Sequence, residues 1–332
     1  MLKTLQKPRR PIGGNVQTKI LAALLVAAAL MLAACGSQPA TTSGSTGTTS
    51  GAANTSTPGG GGQPAGTVTE FPLPATSGSP QGMTAGPDGN LWFTAEDTSG
   101  AENQIGRITP GGQITEFPLP TAIEIPGSIT KGPDGNLWFT EIRYGIPGKI
   151  GRITPGGQIT EFPIPEPGFG SPNAPQDITA GPDGNLWFTE SIGSPANPDH
   201  IGRITPAGQI TEFPLPQSSV PVDITAGPDG NLWFTESSGK IGRITPAGQI
   251  TEFPTAGGAS AITAGADGNL WFTSGNQIGR ITPAGQVTEF PVPTSDTTLF
   301  WITAGPDGNL WFTEDSQDNS GSSQIGRITS GK

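Results

Sequence analysis

Six times the chain writes almost the same nine residues, Gly-Pro-Asp-Gly-Asn-Leu-Trp-Phe-Thr, beginning at Gly86, Gly132, Gly181, Gly227, Gly265 (with Ala266 for the proline) and Gly305. Self-similarity at a spacing of roughly forty to fifty residues marks a repeat architecture in which each unit buries its apolar surface against the next. What fills each unit is strand-like. Ile-Gly-Arg-Ile-Thr follows every copy, at Ile105, Ile150, Ile201, Ile241, Ile278 and Ile325, and a Thr-Glu-Phe-Pro segment usually comes next. β-Branched and aromatic residues dominate and no helical pattern runs through them, so each unit reads as four short strands. In the first unit they span residues 82–85, 90–94, 104–109 and 113–119. Gly86-Pro87-Asp88-Gly89 and Pro110-Gly111-Gly112 supply what tight turns demand, proline to preset φ and glycine to accept positive φ. Four antiparallel strands joined in order make a propeller blade, and six units predict an all-β, six-bladed β-propeller.

The ends of the repeat region complement one another. The last unit stops at Ile328-Thr329-Ser330-Gly331-Lys332, short of a fourth strand, and the region opens with a lone fourth-strand segment, Thr67-Val68-Thr69-Glu70-Phe71-Pro72. The N-terminal strand is therefore expected to close the final blade and leave no exposed sheet edge. Within a blade the second strand is apolar on both faces, Leu91 and Phe93 pointing one way and Trp92 the other, so both must be covered by neighbouring blades. That gives Trp92, Trp138, Trp187, Trp233, Trp271 and Trp311 a packing role between blades. Trp301 stands outside the motif, where the last blade begins. The arginines of Ile-Gly-Arg (Arg107, Arg152, Arg203, Arg243, Arg280, Arg327) are expected to pair across the hairpin with Glu116, Glu161, Glu212, Glu252, Glu289 and, for the last blade, Glu70. The turn aspartates (Asp88, Asp134, Asp183, Asp229, Asp267, Asp307) read as turn formers.

Ahead of the repeats the composition changes twice. Lys3, Lys7, Arg9, Arg10 and Lys19 precede an apolar run over residues 20–32, and Leu32-Ala33-Ala34-Cys35 follows. This resembles a bacterial lipoprotein signal with its lipobox, and Cys35, the single cysteine, is the expected lipidation site. Residues 36–66 are Gly, Ser, Thr, Pro and Ala almost throughout and read as a flexible tether. The expected organisation is a signal peptide over 1–35, a tether over 36–66 and a propeller over 67–332, anchored to the cell membrane by lipid and facing outside the cytoplasm. The net charge is −11, with five basic and no acidic residues before Cys35. Such a surface argues against nucleic-acid partners, and a monomer is expected.

The meander puts the constant turns on one face of the disc and the variable loops on the other. Binding sites are commonly built on variable loops carried by a rigid scaffold, so that second face is the candidate working surface. Carboxylates gather there: Glu141, Glu190, Glu236 and Glu314 follow the second strand, and Asp177 and Asp223 stand just before the first. Converging carboxylates would suit Mg²⁺ or Ca²⁺; solvated strand ends are the alternative. His200, the single histidine, fills the slot that Gln104, Lys149, Lys240, Gln277 and Gln324 fill elsewhere, and reads as an exposed loop residue.

Repeats of the form Ile-Thr-x-Gly-Pro-Asp-Gly-x-Leu-Trp-Phe-Thr-Glu, then Ile-Gly-Arg-Ile-Thr and Thr-Glu-Phe-Pro-Leu-Pro, resemble the virginiamycin B lyase (streptogramin lyase) family over residues 67–329. The resemblance implies a propeller, seven-bladed in the type member, and an Mg²⁺-dependent elimination that opens the lactone of streptogramin B antibiotics without water. It also implies catalytic histidines in Pro-His-Gly/Ala-Ile segments leading into the first strand, and a catalytic glutamate after Trp-Phe. The glutamate slot is filled by Glu141, Glu190, Glu236 and Glu314. The histidine slot is not, because Gln81, Gly127, Gln176, Val222, Ser260 and Phe300 stand there. Without an imidazole the proton taken from substrate has no carrier to the leaving group. No residue is therefore assigned a catalytic role, and the expectation is a module that binds a small molecule, a cell-wall component or a protein. The alternative is an active streptogramin lyase or another metal-dependent lactone-acting enzyme.

Overall fold

The computed structural model describes residues 70–331 apart from 75–77, 98–101, 122–123, 144–145, 166–172, 193–196, 218, 295–296 and 317–322. The expected signal, Cys35 and the tether lie outside the described residues. The described residues form six antiparallel sheets. Blade one is β1 (Ser79–Ala85), β2 (Leu91–Glu96), β3 (Gln104–Ile108) and β4 (Ile114–Pro118). Blade two is β5 (Ile125–Lys131), β6 (Leu137–Ile142), β7 (Lys149–Ile153) and β8 (Ile159–Pro163). Blade three is β9 (Ala174–Ala180), β10 (Leu186–Ser191), β11 (His200–Ile204) and β12 (Ile210–Pro214). Blade four is β13 (Pro221–Ala226), β14 (Leu232–Glu236), β15 (Lys240–Ile244) and β16 (Ile250–Pro254). Blade five is β17 (Ala259–Ala264), β18 (Leu270–Ser274), β19 (Gln277–Ile281) and β20 (Val287–Pro291), and blade six is β21 (Thr297–Ala304), β22 (Leu310–Ser316) and β23 (Gln324–Ile328). The first strands of successive blades touch one another, which makes them the inner strands. The fold is a β-propeller of six blades, and no helix among the described residues is long and apolar enough to cross a membrane.

The core lies between blades, as the two-faced second strand requires. Trp92, Ile105 and Leu119 of blade one pack on Ile129, Leu137, Phe139 and Ile153 of blade two; the same seven positions recur at the next two interfaces, and six of them at the one between blades four and five, where Ala259 joins instead of a residue at the Leu119 position. Each tryptophan also does something its packing role did not suggest. Its indole N–H donates to the turn aspartate four residues earlier, as in Trp187 to Asp183 at 3.0 Å, and the same carboxylate accepts from Asn185. Burial opposes the charge on these aspartates, but the indole and asparagine hydrogen bonds outweigh it and hold Asp88, Asp134, Asp183, Asp229 and Asp267 below the usual carboxylate range. At Asp307 the Asn309 and Trp311 bonds bring the pKa to about 2.

The expected arginine–glutamate pairs do not form. Across the hairpin Arg203 stands opposite Thr211, while Glu212 stands opposite Gly202, so arginine and glutamate leave the sheet on opposite faces. The Arg203 guanidinium instead lies 5.5 Å from the ring centres of both Trp187 and Phe213, and its Nη1 donates to Pro246 O of the next blade at 3.0 Å. Arg107, Arg152 and Arg243 make the same clasp.

At the junction of the two ends, residues 70–74 carry no strand, and among the described residues blade six has three strands. Phe71 nevertheless sits against Gly112, in the relation Phe117 bears to Gly157 and Phe162 to Gly208. Among the described residues no ladder joins this segment to β23, so the expected closing strand is not formed there. The facing apolar side chains remain in solvent: Leu91 is 44% and Ile325 73% exposed, although their counterparts Leu137 and Ile150 are fully buried.

Candidate functional site

Each inner strand carries an irregularity of register near its start, at residues 80–83, 126–129, 175–178, 221–224, 259–262 and 299–302. A bulge of this kind leaves two residues outside the regular ladder and re-aims their side chains. The pairs are Gln81-Gly82, Gly127-Ser128, Gln176-Asp177, Val222-Asp223, Ser260-Ala261 and Phe300-Trp301. A threonine of the second strand holds each bulge and, in blades one to five, ties it to the next blade. Thr189 Oγ1 accepts from Asp177 N at 3.1 Å and donates to Val222 O at 2.8 Å, and Thr94, Thr140, Thr235 and Thr273 act alike. The histidine slot of the resemblance is therefore the first bulge residue of each blade, and no imidazole occupies it. Trp301, 70% exposed, and Phe300, 40% exposed, form the bulge of blade six.

Asp177 and Asp223 come together with one another. Asp177 accepts from Ser128 Oγ at 2.6 Å and Ile224 N at 3.0 Å, and Asp223 accepts from Ile224 N at 2.9 Å and Ile262 N at 2.8 Å. Each thus links its blade to the next. Burial, and then the adjacent Asp177 charge, push Asp223 well above the usual carboxylate pKa.

The four glutamates lie elsewhere. Glu141, Glu190 and Glu236 are fully buried and Glu314 nearly so. The reason is register: the second strand runs on past its threonine, so the glutamate shares the inter-blade face with leucine and phenylalanine. Three of them meet the Thr-Glu-Phe glutamate of their own blade, and the residue that opens the third strand decides the chemistry. In blade two it is Lys149, whose Nζ is 2.6 Å from Glu161 Oε2 and 2.8 Å from Glu124 Oε2. In blade four Lys240 Nζ reaches Glu252 Oε2 at 2.6 Å, and Ser238 donates to Glu236. In blade three it is His200, which the structure places half-buried at the start of β11 rather than in an exposed loop. Pairing with Glu190 on one side and Pro214 on the other draws it into the sheet.

These positions are electrostatically costly. Burial, followed by neighbouring carboxylates, raises Glu141 to about 9 and Glu190 to about 8. Burial and then the Glu252 charge raise Glu236, and burial raises Glu212. Burial also lowers the pKa of His200. Among the described residues, two sets bring potential ligand atoms within 4.8 Å of one another, Glu124/Glu141/Glu161 and Glu190/His200/Glu212; Asp177, Asp223, Glu236 and Glu314 belong to neither.

Comparison with known proteins agrees with this architecture. The sequence profile of the virginiamycin B lyase family matches residues 42–194 and 170–332. Selenomethionine-substituted virginiamycin B lyase from Staphylococcus aureus is 40% identical, with a TM-score of 0.62 over 76% of this chain and 85% of that one. A streptogramin B lyase structure is 35% identical, with a TM-score of 0.63 over 79% and 87%. A catalytically inactive histidine-to-alanine variant of the Staphylococcus aureus enzyme with quinupristin is 40% identical, with a TM-score of 0.64 over 76% and 85%. No curated protein matches significantly. The six-fold Trp-Phe-Thr unit, the inter-blade core and these likenesses together identify the chain as a member of the virginiamycin B lyase family.

Proposed function

We propose that this propeller binds a ligand or partner on its variable-loop face and does not open streptogramin lactones. One observation carries the reading: the chain's single imidazole, His200, stands on a third strand between Glu190 and Pro214, whereas the six inner-strand bulges hold Gln81, Gly127, Gln176, Val222, Ser260 and Phe300. Elimination from an ester needs a group that takes a proton and another that protonates the departing oxygen. The inner strands offer carboxylates for the first and no imidazole for the second. Asp177, Asp223 and Ser128 are engaged in links between blades, and Trp301 presents an open aromatic face on which a planar or ring-bearing ligand would stack. The surviving glutamate slot, at Glu141, Glu190, Glu236 and Glu314, favours the lyase reading instead. Mass spectrometry of a streptogramin B lactone incubated with the full chain and excess Mg²⁺ decides between them, unchanged mass being expected and a ring-opened product contradicting the proposal.

The same reading places the propeller outside the cytoplasm on a lipid anchor at Cys35, supported by the Leu32-Ala33-Ala34-Cys35 match and the Gly/Ser/Thr tether. Cys35→Ser is expected to release the protein from membranes or leave it unprocessed. Wild-type fractionation and migration of that variant would remove the anchor from the account.

A further inference from the structure

We propose that Glu190, His200 and Glu212 bind a divalent transition-metal ion of the Zn²⁺ class on the side of blade three that faces blade two. The argument begins with the repeat. The residue after the second strand's threonine, the first of the third strand and the glutamate of the fourth form one constellation, and its composition changes in step from blade to blade. Where two glutamates meet in blades two and four, a lysine opens the third strand and its ammonium sits 2.6 Å from the fourth-strand carboxylate. Where Ala95 or Ser274 follows that threonine, the third strand opens with uncharged Gln104 or Gln277. Blade three keeps both glutamates and replaces the built-in cation with an imidazole.

The consequence is visible in the hydrogen bonding. Glu190 is fully buried, and the Asn173 amide beside it interacts with the carboxylate but makes no well-formed hydrogen bond to either oxygen. His200 Nδ1 and Glu212 Oε1 are likewise buried without a partner. A buried carboxylate left in this state costs several kcal/mol unless a proton or a cation joins it. Ligand atoms from all three side chains lie within 4.8 Å of one another, and small rotations bring such a set around one ion with bonds of about 2.0–2.2 Å. An imidazole donor selects for Zn²⁺ and its first-row neighbours over Mg²⁺ and Ca²⁺, which prefer all-oxygen sites. The ion would tie three adjacent strands, doing for blade three what Lys149 and Lys240 do for blades two and four. The Glu124/Glu141/Glu161 set is a poorer candidate because Lys149 already supplies its positive charge.

The internal comparison also provides the test. The full chain, in detergent and stripped with chelator, is incubated with Zn²⁺, desalted and assayed for metal by mass spectrometry, with Tm read in parallel. One equivalent of Zn²⁺ is expected to remain, and Tm to rise by roughly 5 °C at a hundredfold excess over Kd. His200→Gln installs the residue of blades one, five and six, and His200→Lys that of blades two and four, so each is already accommodated by this scaffold. Both are expected to lose the retained equivalent and the Zn²⁺-dependent rise, with His200→Lys more stable than metal-free wild type. No retained Zn²⁺ in wild type, equal retention in the two variants, or an equal Tm rise with Mg²⁺ or Ca²⁺ would each overturn the proposal. None of these outcomes depends on whether the chain opens a lactone.

Discussion

Arg243 lies with its guanidinium 5.5 Å from the ring centre of Trp233 and 5.6 Å from that of Phe253, and donates 3.0 Å to Pro283 O in the next blade. Removing it in Arg243→Ala strips a cation–π contact and an inter-blade hydrogen bond, and a loss of about 1–3 kcal/mol is expected from chemical unfolding. Glu252→Ala, which removes the residue first matched to this arginine, should leave the clasp intact and act through Lys240 instead. The arginine could be located from sequence, but its partner could not. A one-residue offset across the hairpin decides which face each side chain leaves, and nothing in Ile-Gly-Arg or Thr-Glu-Phe fixes that offset. The buried glutamates give a pH signature. Glu141 has a folded pKa of about 9, far above its unfolded value, so the folded state holds a proton that the unfolded chain releases. Its contribution is fully present below the unfolded carboxylate pKa and is lost as pH rises through the folded value of about 9. Thermal melts across that window should show falling Tm in wild type and a flatter profile in Glu141→Gln; parallel profiles would contradict the assignment.

At the scale of the strand, the turns were legible and the bulges were not. Gly-Pro-Asp-Gly needs positive φ at its last residue, and Gly89 takes φ 77° as its position in the motif demands. The inner-strand bulges leave no such mark, because two residues facing one partner interrupt alternation without calling for glycine or proline. The structure adds the threonine relay that holds them, a second function for the Thr that closes each Trp-Phe-Thr motif. It also explains the glycine of Ile-Gly-Arg, which sequence left as part of a strand. A side chain at Gly202 would overlap the Phe188 ring lying across it, and the same holds for Gly242 over Phe234. Gly202→Ala is therefore expected to cost about 1–3 kcal/mol by overpacking, measurable as a lower denaturation midpoint at unchanged m-value. A neutral result would show that the phenylalanine ring can vacate the space.

Across the whole molecule, the repeat period and the two-faced second strand sufficed for the fold class and blade count, because a core made only between blades depends on little else. Closure is the part they left open. Phe71 beside Gly112 supports the N-terminal segment as the missing outer strand, while Leu91 and Ile325 at the same junction face solvent. If residues 67–72 complete blade six, deleting them should lower Tm and promote association through the uncovered edge of β23. An unchanged melting curve with a monomeric chain would refute that closure. The candidate site divided in a similar way: carboxylates were found by their slots, but which of them meet depends on bulges and strand ends that only the folded blade reveals. What sequence exposed, once set beside the family it resembles, is the missing imidazole, and the functional account stands on it. The most direct measurement is the rate of quinupristin ring opening, followed by mass spectrometry beside the Staphylococcus aureus enzyme at equal concentration and excess Mg²⁺. The account predicts a trace on the enzyme-free baseline at every concentration; saturable, time-dependent product that disappears in Glu236→Gln would contradict it.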